Sequence, residues 1–197
     1  MKKIIFALTL FAPLALLARS QVDPEKLLLN AAINGDIDAM HTFIVTDKVN
    51  IDTPGLHTTP LSAILALQAD AECGNTTCDA TANAIFAKRD AHLKIAGFLL
   101  KKGANPNRPT GIEQNTPLHY ALLISDLRFT ALLLRHHANV NTKNAHGKTP
   151  FEHLLETKKS HSNIFKIRQL LFQGGNPLGK RITLNWPIST NKLAMLN

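Results

Sequence analysis

The sequence predicts an all-α solenoid of about four helix–turn–helix units, with one long insertion and a signal peptide in front. Three observations lead there. Thr116-Pro117 and Thr149-Pro150 stand 33 residues apart, and Thr59-Pro60 stands 57 before Thr116, which is one period plus an excess of 24. The units end alike, as Leu99-Leu100 with Gly103-Ala104-Asn105 and as Leu170-Leu171 with Gly174-Gly175-Asn176. Between them, Asn115 to Asn141 reads as a complete unit. Thr116 suits an N-cap and Pro117 the first helical position, where its missing N–H costs nothing. Leu118, Ala121 and Leu122 fall on one helical face. Ser125 and Asp126 interrupt the pattern and can cap a second helix with Phe129, Leu132 and Leu133 as its stripe. His137 falls where that helix should close in a left-handed residue.

Residues 1–20 stand apart from the repeats. Lys2 and Lys3 precede an apolar run from Ile4 to Leu17, about 14 residues and too short to span a bilayer. Ala18-Arg19-Ser20 supplies small residues before a cut ahead of Gln21. The expectation is a cleavable signal peptide of bacterial type, and a periplasmic or secreted chain.

The full chain has 22 basic and 14 acidic residues, for a net charge of +8. Setting aside Lys2, Lys3 and Arg19 leaves a net near +5, spread through all the units. A dispersed balance of this kind argues for a solvated surface and against a nucleic-acid footprint.

The stretches TPLH at 116–119, LLL at 132–134 and ANVN at 138–141 resemble an ankyrin repeat, whose known period is 33. On that resemblance the domain runs over 21–179, with repeats near 24–52, 57–109, 114–144 and 147–178. The insertion in repeat two occupies 68–90, and 180–197 forms a C-terminal cap.

Taken in order, repeat one opens on Asp23-Pro24 as N-cap and first helical position. Lys26 to Leu29 replaces the TPLH motif, as a repeat with one neighbour allows. Gly35-Asp36 makes the turn, and Ile37, Met40, Phe43 and Ile44 form the second stripe. Asp47 stands in for the closing Gly. Repeat two opens on Thr59-Pro60, and its second helix is expected to run long, from about Thr81 to Lys102. In repeat three, Asn144-Ala145-His146-Gly147 matches the family's hairpin fingertip. Repeat four has a longer inter-helix turn over 158–163 before a helix from Ile164 to Phe172.

Cys73 and Cys78, the only cysteines, flank Gly74 and Asn75 in the insertion. In an exported chain they are expected to form a small-loop disulfide worth about 2 kcal/mol, with two free thiols as the alternative.

The sequence holds no G-x-S-x-G, no P-loop and no paired histidines of a zinc protease. No enzyme activity and no cofactor is expected. In the family, the His of TPLH bonds back to the Thr hydroxyl and neighbouring backbone, so the resemblance makes His119 structural. It further implies protein binding on a concave face of first helices and hairpin tips. The implied contacts are Leu56, Thr58 and Leu67 in repeat two, and Ile112, Glu113, Asn115, Leu123 and Ile124 in repeat three. Repeat four adds Ala145, His146 and Lys148. Apolar Leu56, Leu67, Ile112, Leu123 and Ile124 on a solvated face would anchor an apolar partner, unless the insertion folds back over them. The expected role is a monomeric, non-catalytic periplasmic module binding one protein partner, with no nucleic acid and no membrane span. A secreted effector acting on a host protein is the alternative. Metal handling through the histidines and the 68–90 excursion has the least support.

Overall fold

Each of the four first helices starts on a proline, at Pro24, Pro60, Pro117 and Pro150. The ring fixes φ near the helical value at the one position whose N–H has no intrahelical partner. The computed structural model describes residues 23–52, 58–72, 87–157 and 164–172. Eight α-helices lie among them, and the only strand-like pairing is an isolated bridge between Thr110 and Asn115. The first helices are α1 (Pro24–Asn34), α3 (Pro60–Glu72), α5 (Pro117–Leu123) and α7 (Pro150–Glu156). The second helices are α2 (Ile37–His41, continued by a π-helical turn over Thr42–Thr46), α4 (Arg89–Lys101), α6 (Leu127–Arg135) and α8 (Ile164–Phe172).

The layers follow from which helices touch. α1, α3, α5 and α7 stack in sequence as an inner layer, and α2, α4, α6 and α8 as an outer one. Leu28, Leu61, Ile64, Leu118, Leu122 and Leu154 fill the inner side of one continuous core. Met40, Ile95, Leu99, Phe129, Leu133 and Ile167 fill the outer side. Each such side chain contributes about 1.5–3 kcal/mol by leaving water. A unit alone would leave one face of this stripe wet, which is why the stack is the folding unit.

The caps are local and largely as the sequence implies. Gly35 (φ 79°) closes α1, and Asp36 accepts the Ala39 N–H at 3.0 Å to open α2. Ser125 (φ 50°) closes α5, and Asp126 accepts the Arg128 N–H at 2.8 Å to open α6. His137 closes the second helix of repeat three in the left-handed region, with φ 64°.

Repeat one departs from expectation at its end. The left-handed residue there is Lys48 (φ 49°), while Asp47 keeps φ −90°. In repeats two and three the closing bond reaches five residues back, from Ala104 N–H to Leu99 O and from Ala138 N–H to Leu133 O. In repeat one it runs from Val49 N–H to Phe43 O, six back. The π turn holds one extra residue and moves the exit from Asp47 to Lys48. At the other end, Asp23 occupies the N-cap position without side-chain capping, because its carboxylate pairs with Lys26 Nζ at 2.8 Å.

The long second helix expected over Thr81–Lys102 is also corrected. Lys88 is a turn residue, and α4 starts at Arg89. Arg89 donates from Nε to Gln68 Oε1 on α3 at 2.8 Å, which sets the start of α4 against the end of α3. The Cys73–Cys78 pair, the signal segment, the turn over 158–163 and the cap over 180–197 lie outside the described residues.

Loops between repeats are tied by a chain of asparagine and aspartate side chains. Asn50, Asn105 and Asn139 each accept the N–H two residues on, at 3.1, 2.9 and 2.9 Å. Asp52 Oδ2 accepts the Asn105 N–H at 2.9 Å, and Asn107 Oδ1 accepts the Asn139 N–H at 2.6 Å. The loop of one repeat thus satisfies the backbone of the next.

Candidate protein-binding surface

The inner helices open with three chemical versions of one device. In repeat two, Ser62 Oγ accepts the Thr59 N–H at 3.1 Å and Thr59 Oγ1 accepts the Ser62 N–H at 3.3 Å. In repeat four, Glu152 accepts the Thr149 N–H and hydroxyl, each at 2.9 Å. Those bonds, the backbone N–H first, hold the Glu152 carboxyl below its usual range. In repeat three the partner is His119, whose Nδ1 accepts the Thr116 N–H at 3.1 Å and lies 2.8 Å from the Thr116 hydroxyl.

An imidazole has a second nitrogen, and here it leaves the repeat. His119 Nε2–H donates to Lys148 O at 3.0 Å. Burial pushes the His119 pKa down, which keeps the neutral tautomer that this pair of bonds requires. His119 is structural, as the resemblance implies. Sequence reasoning passed over its counterpart in repeat two. His92, wholly buried on α4, faces Gln68 Nε2 with Nδ1 and Ile33 O with Nε2, each at 2.9 Å. The available signal was its place on the α4 stripe with Ile95, Ala96 and Leu99.

Two fingertips project from this base. The first is closed by Thr110 N–H to Asn115 O at 2.9 Å and Asn115 N–H to Thr110 O at 3.1 Å. Gly111 (φ 72°) and Gln114 (φ 53°) turn it, and Ile112 at its tip is 99% exposed. The second is wound around Asn144, whose Oδ1 accepts the His146 and Lys148 N–H groups at 3.1 and 3.0 Å. The fingers are joined by Ala145 N–H to Glu113 O at 2.8 Å and Asn144 Nδ2 to Asn115 Oδ1 at 2.9 Å. Beside the first finger lies a cavity of about 470 Å³, walled by Thr58, Thr59, Arg108, Thr110 and Gln114.

This geometry sorts the expected contact residues. Ile112, Glu113, Ala145 and His146 are exposed on the fingertips. Thr58 and Leu67 are half-buried, and Lys148 reaches the carboxylate of Glu156. Three expectations are corrected. Asn115 is buried, and its amide serves Glu113 Oε2 at 2.6 Å and Asn144. Leu123 and Ile124, at 9% and 2% exposure, belong to the core rather than to a solvated face. α5 ends at Leu123, and the chain turns there through Ile124 into α6, so both side chains pack inward. Leu56 lies outside the described residues.

Among the described residues no three His, Cys, Asp or Glu side chains gather, and no helix is long and apolar enough to cross a membrane. His153 lies with its ring 5.9 Å from that of His119, and its Nδ1 is buried with no hydrogen-bond partner.

A family model described as ankyrin repeats (many copies) matches residues 84–134, across the end of repeat two and most of repeat three. The chain is 40% identical over 58 residues to an ankyrin repeat protein of Fowlpox virus (strain NVSL). Over residues 84–134 the chain thus carries ankyrin repeats. The matched stretch is 29% of this chain and only 10% of the viral protein, so the chain spans a small part of that relative. Ankyrin repeats are an interaction fold whose helices and fingertips display side chains rather than perform chemistry.

Proposed function

We propose that this ankyrin-repeat chain is a non-catalytic module that binds a protein partner through its fingertips and inner helices. The observation that carries this reading is Ile112. A β-branched aliphatic side chain stands 99% exposed at the tip of a finger braced by a second finger. An apolar anchor on a rigid, hydrogen-bonded support loses little conformational entropy when a partner covers it. Glu113 next to it, and Ala145 and His146 on the bracing finger, are exposed polar and small groups that suit the rim of an interface.

The place of action we propose is the bacterial periplasm, on the strength of the basic, apolar and small-residue segments of residues 1–20. The viral relative lends weight to a second reading, a secreted effector that binds a host protein. Export would also oxidise Cys73 and Cys78 to a disulfide. Mature protein that labels with a thiol reagent under denaturing, non-reducing conditions would refute the disulfide.

The test is cross-linking capture with tagged chain 21–197, from intact cells and from culture medium, beside the same chain carrying Ile112→Arg. Capture of one envelope protein, lost in the variant, is the expected result. Capture that the variant leaves intact would remove the fingertip from the interface. Protein found mainly in the medium, with no envelope partner, would favour the effector reading.

A further inference from the structure

The outer layer carries a feature that the fingertip reading does not use. Between α4, α6 and α8 runs a groove of about 730 Å³. Leu93, Leu132 and Leu170, one from each helix, form its half-buried apolar floor. Lys94, Arg135 and Lys166, again one from each helix, stand exposed along it, and among the described residues no carboxylate lines it. None of those three cations makes an ion pair among the described residues. The fourth cation, Arg128, differs, because Asp90 and Asp126 hold its guanidinium at 2.6 and 3.2 Å. On α8, Phe165 is 74% exposed and lies one turn before Gln169, a wall residue of the groove.

We infer that this groove is a second docking surface, which takes an acidic amphipathic helix of a partner protein. The floor is a recessed apolar strip between parallel ridges, the shape into which a helix lays its own apolar ridge. The unneutralised cations beside it call for Asp or Glu on the flanks of that helix. Charge also removes the nearer candidates. No Asp or Glu follows Glu156 in the sequence, so the chain's own C-terminal residues would bring like charge to the groove. A second copy carries the same net +8. A planar anionic membrane meets the exposed lysines but does not reach a floor set between helices.

The probe is a fluorescent, roughly 16-residue designed helix with a Leu ridge flanked by Glu, compared with its Lys-for-Glu and Ser-for-Leu twins. Anisotropy with the purified full chain should show binding of the Glu peptide alone. Lys94→Glu with Arg135→Glu, both exposed, should weaken it at least about tenfold. Ile112→Arg on the opposite layer should leave it unchanged, so failure here and failure of the fingertip reading are distinguishable. Equal binding of the Lys twin, binding insensitive to the two reversals, or no binding of the Glu peptide would overturn the inference. So would retention on vesicles of phosphatidylglycerol and phosphatidylcholine when the Glu peptide does not compete.

Discussion

The two layers of the stack are joined by different physics. In the inner layer, buried side chains reach from one repeat to the next. His119 ties repeat three to repeat four and Asn144 ties one finger to another, while His92 reaches in from α4 to the Ile33 carbonyl of α1 and ties repeat two to repeat one. In the outer layer the second helices meet mainly through apolar contact, with Arg128–Asp90 at 2.6 Å and Arg89–Asp126 at 3.8 Å as ionic links between repeats two and three. Directional bonds fix the register of the fingertips. Apolar contact with few such bonds leaves a groove along which Lys94, Arg135 and Lys166 stand exposed. The inner layer is therefore built to hold positions, and the outer one has surface to offer.

The largest expected effect separates core from surface within repeat three. Ile124→Arg should lower the unfolding free energy by about 3 kcal/mol or more, since it drives an unpaired charge into the core. Ile112→Arg should stay within about 0.5 kcal/mol of the parent. Urea unfolding of the two variants checks this, and similar losses in both would contradict the burial assigned to Ile124.

A second contrast sharpens the role of bonds between repeats. His119→Ala leaves Lys148 O and the Thr116 N–H without partners and should cost about 1–3 kcal/mol. Glu152→Ala breaks a device confined to its own repeat and should cost about 1 kcal/mol or less. Equal losses in the same assay would show that the reach into repeat four adds nothing.

The same histidines predict a pH dependence. Burial holds the pKa values of His92, His119 and His153 below the ordinary 6.5. The unfolded chain then binds more protons below that pH than the folded chain does. Stability should be level above about pH 7 and decline as pH falls through 6.5 and below. Thermal melts across that range check the sign, and greater stability at pH 5 than at pH 7 would refute it.

The smallest expected effect concerns helix exits. His137→Gly should stabilise by about 0.5–1 kcal/mol by removing a Cβ from a left-handed position. Gly103 already occupies the corresponding exit of repeat two, with φ 98°. A loss of stability would mean that the His137 side chain makes contacts that outweigh the strain.

What the sequence determined by itself was the local grammar. Proline at the first helical position, Gly35-Asp36 as a turn, Asp126 as a cap, His137 as an exit, and the 33-residue period each depend on a few neighbouring residues. Such signals survive without knowledge of the fold. What only the tertiary structure decided were the matters that depend on distant partners. Leu123 and Ile124 look like surface anchors by position, yet they are buried because the turn into α6 directs both to the core. Asn115 looks like a contact residue, yet Asn144, 29 positions later, claims its amide. The shift of the repeat-one exit to Lys48 needed a π turn that no motif announces. The outer groove required three helices from three repeats to be set side by side, because Lys94, Arg135 and Lys166 have no spacing in the chain that marks them as neighbours.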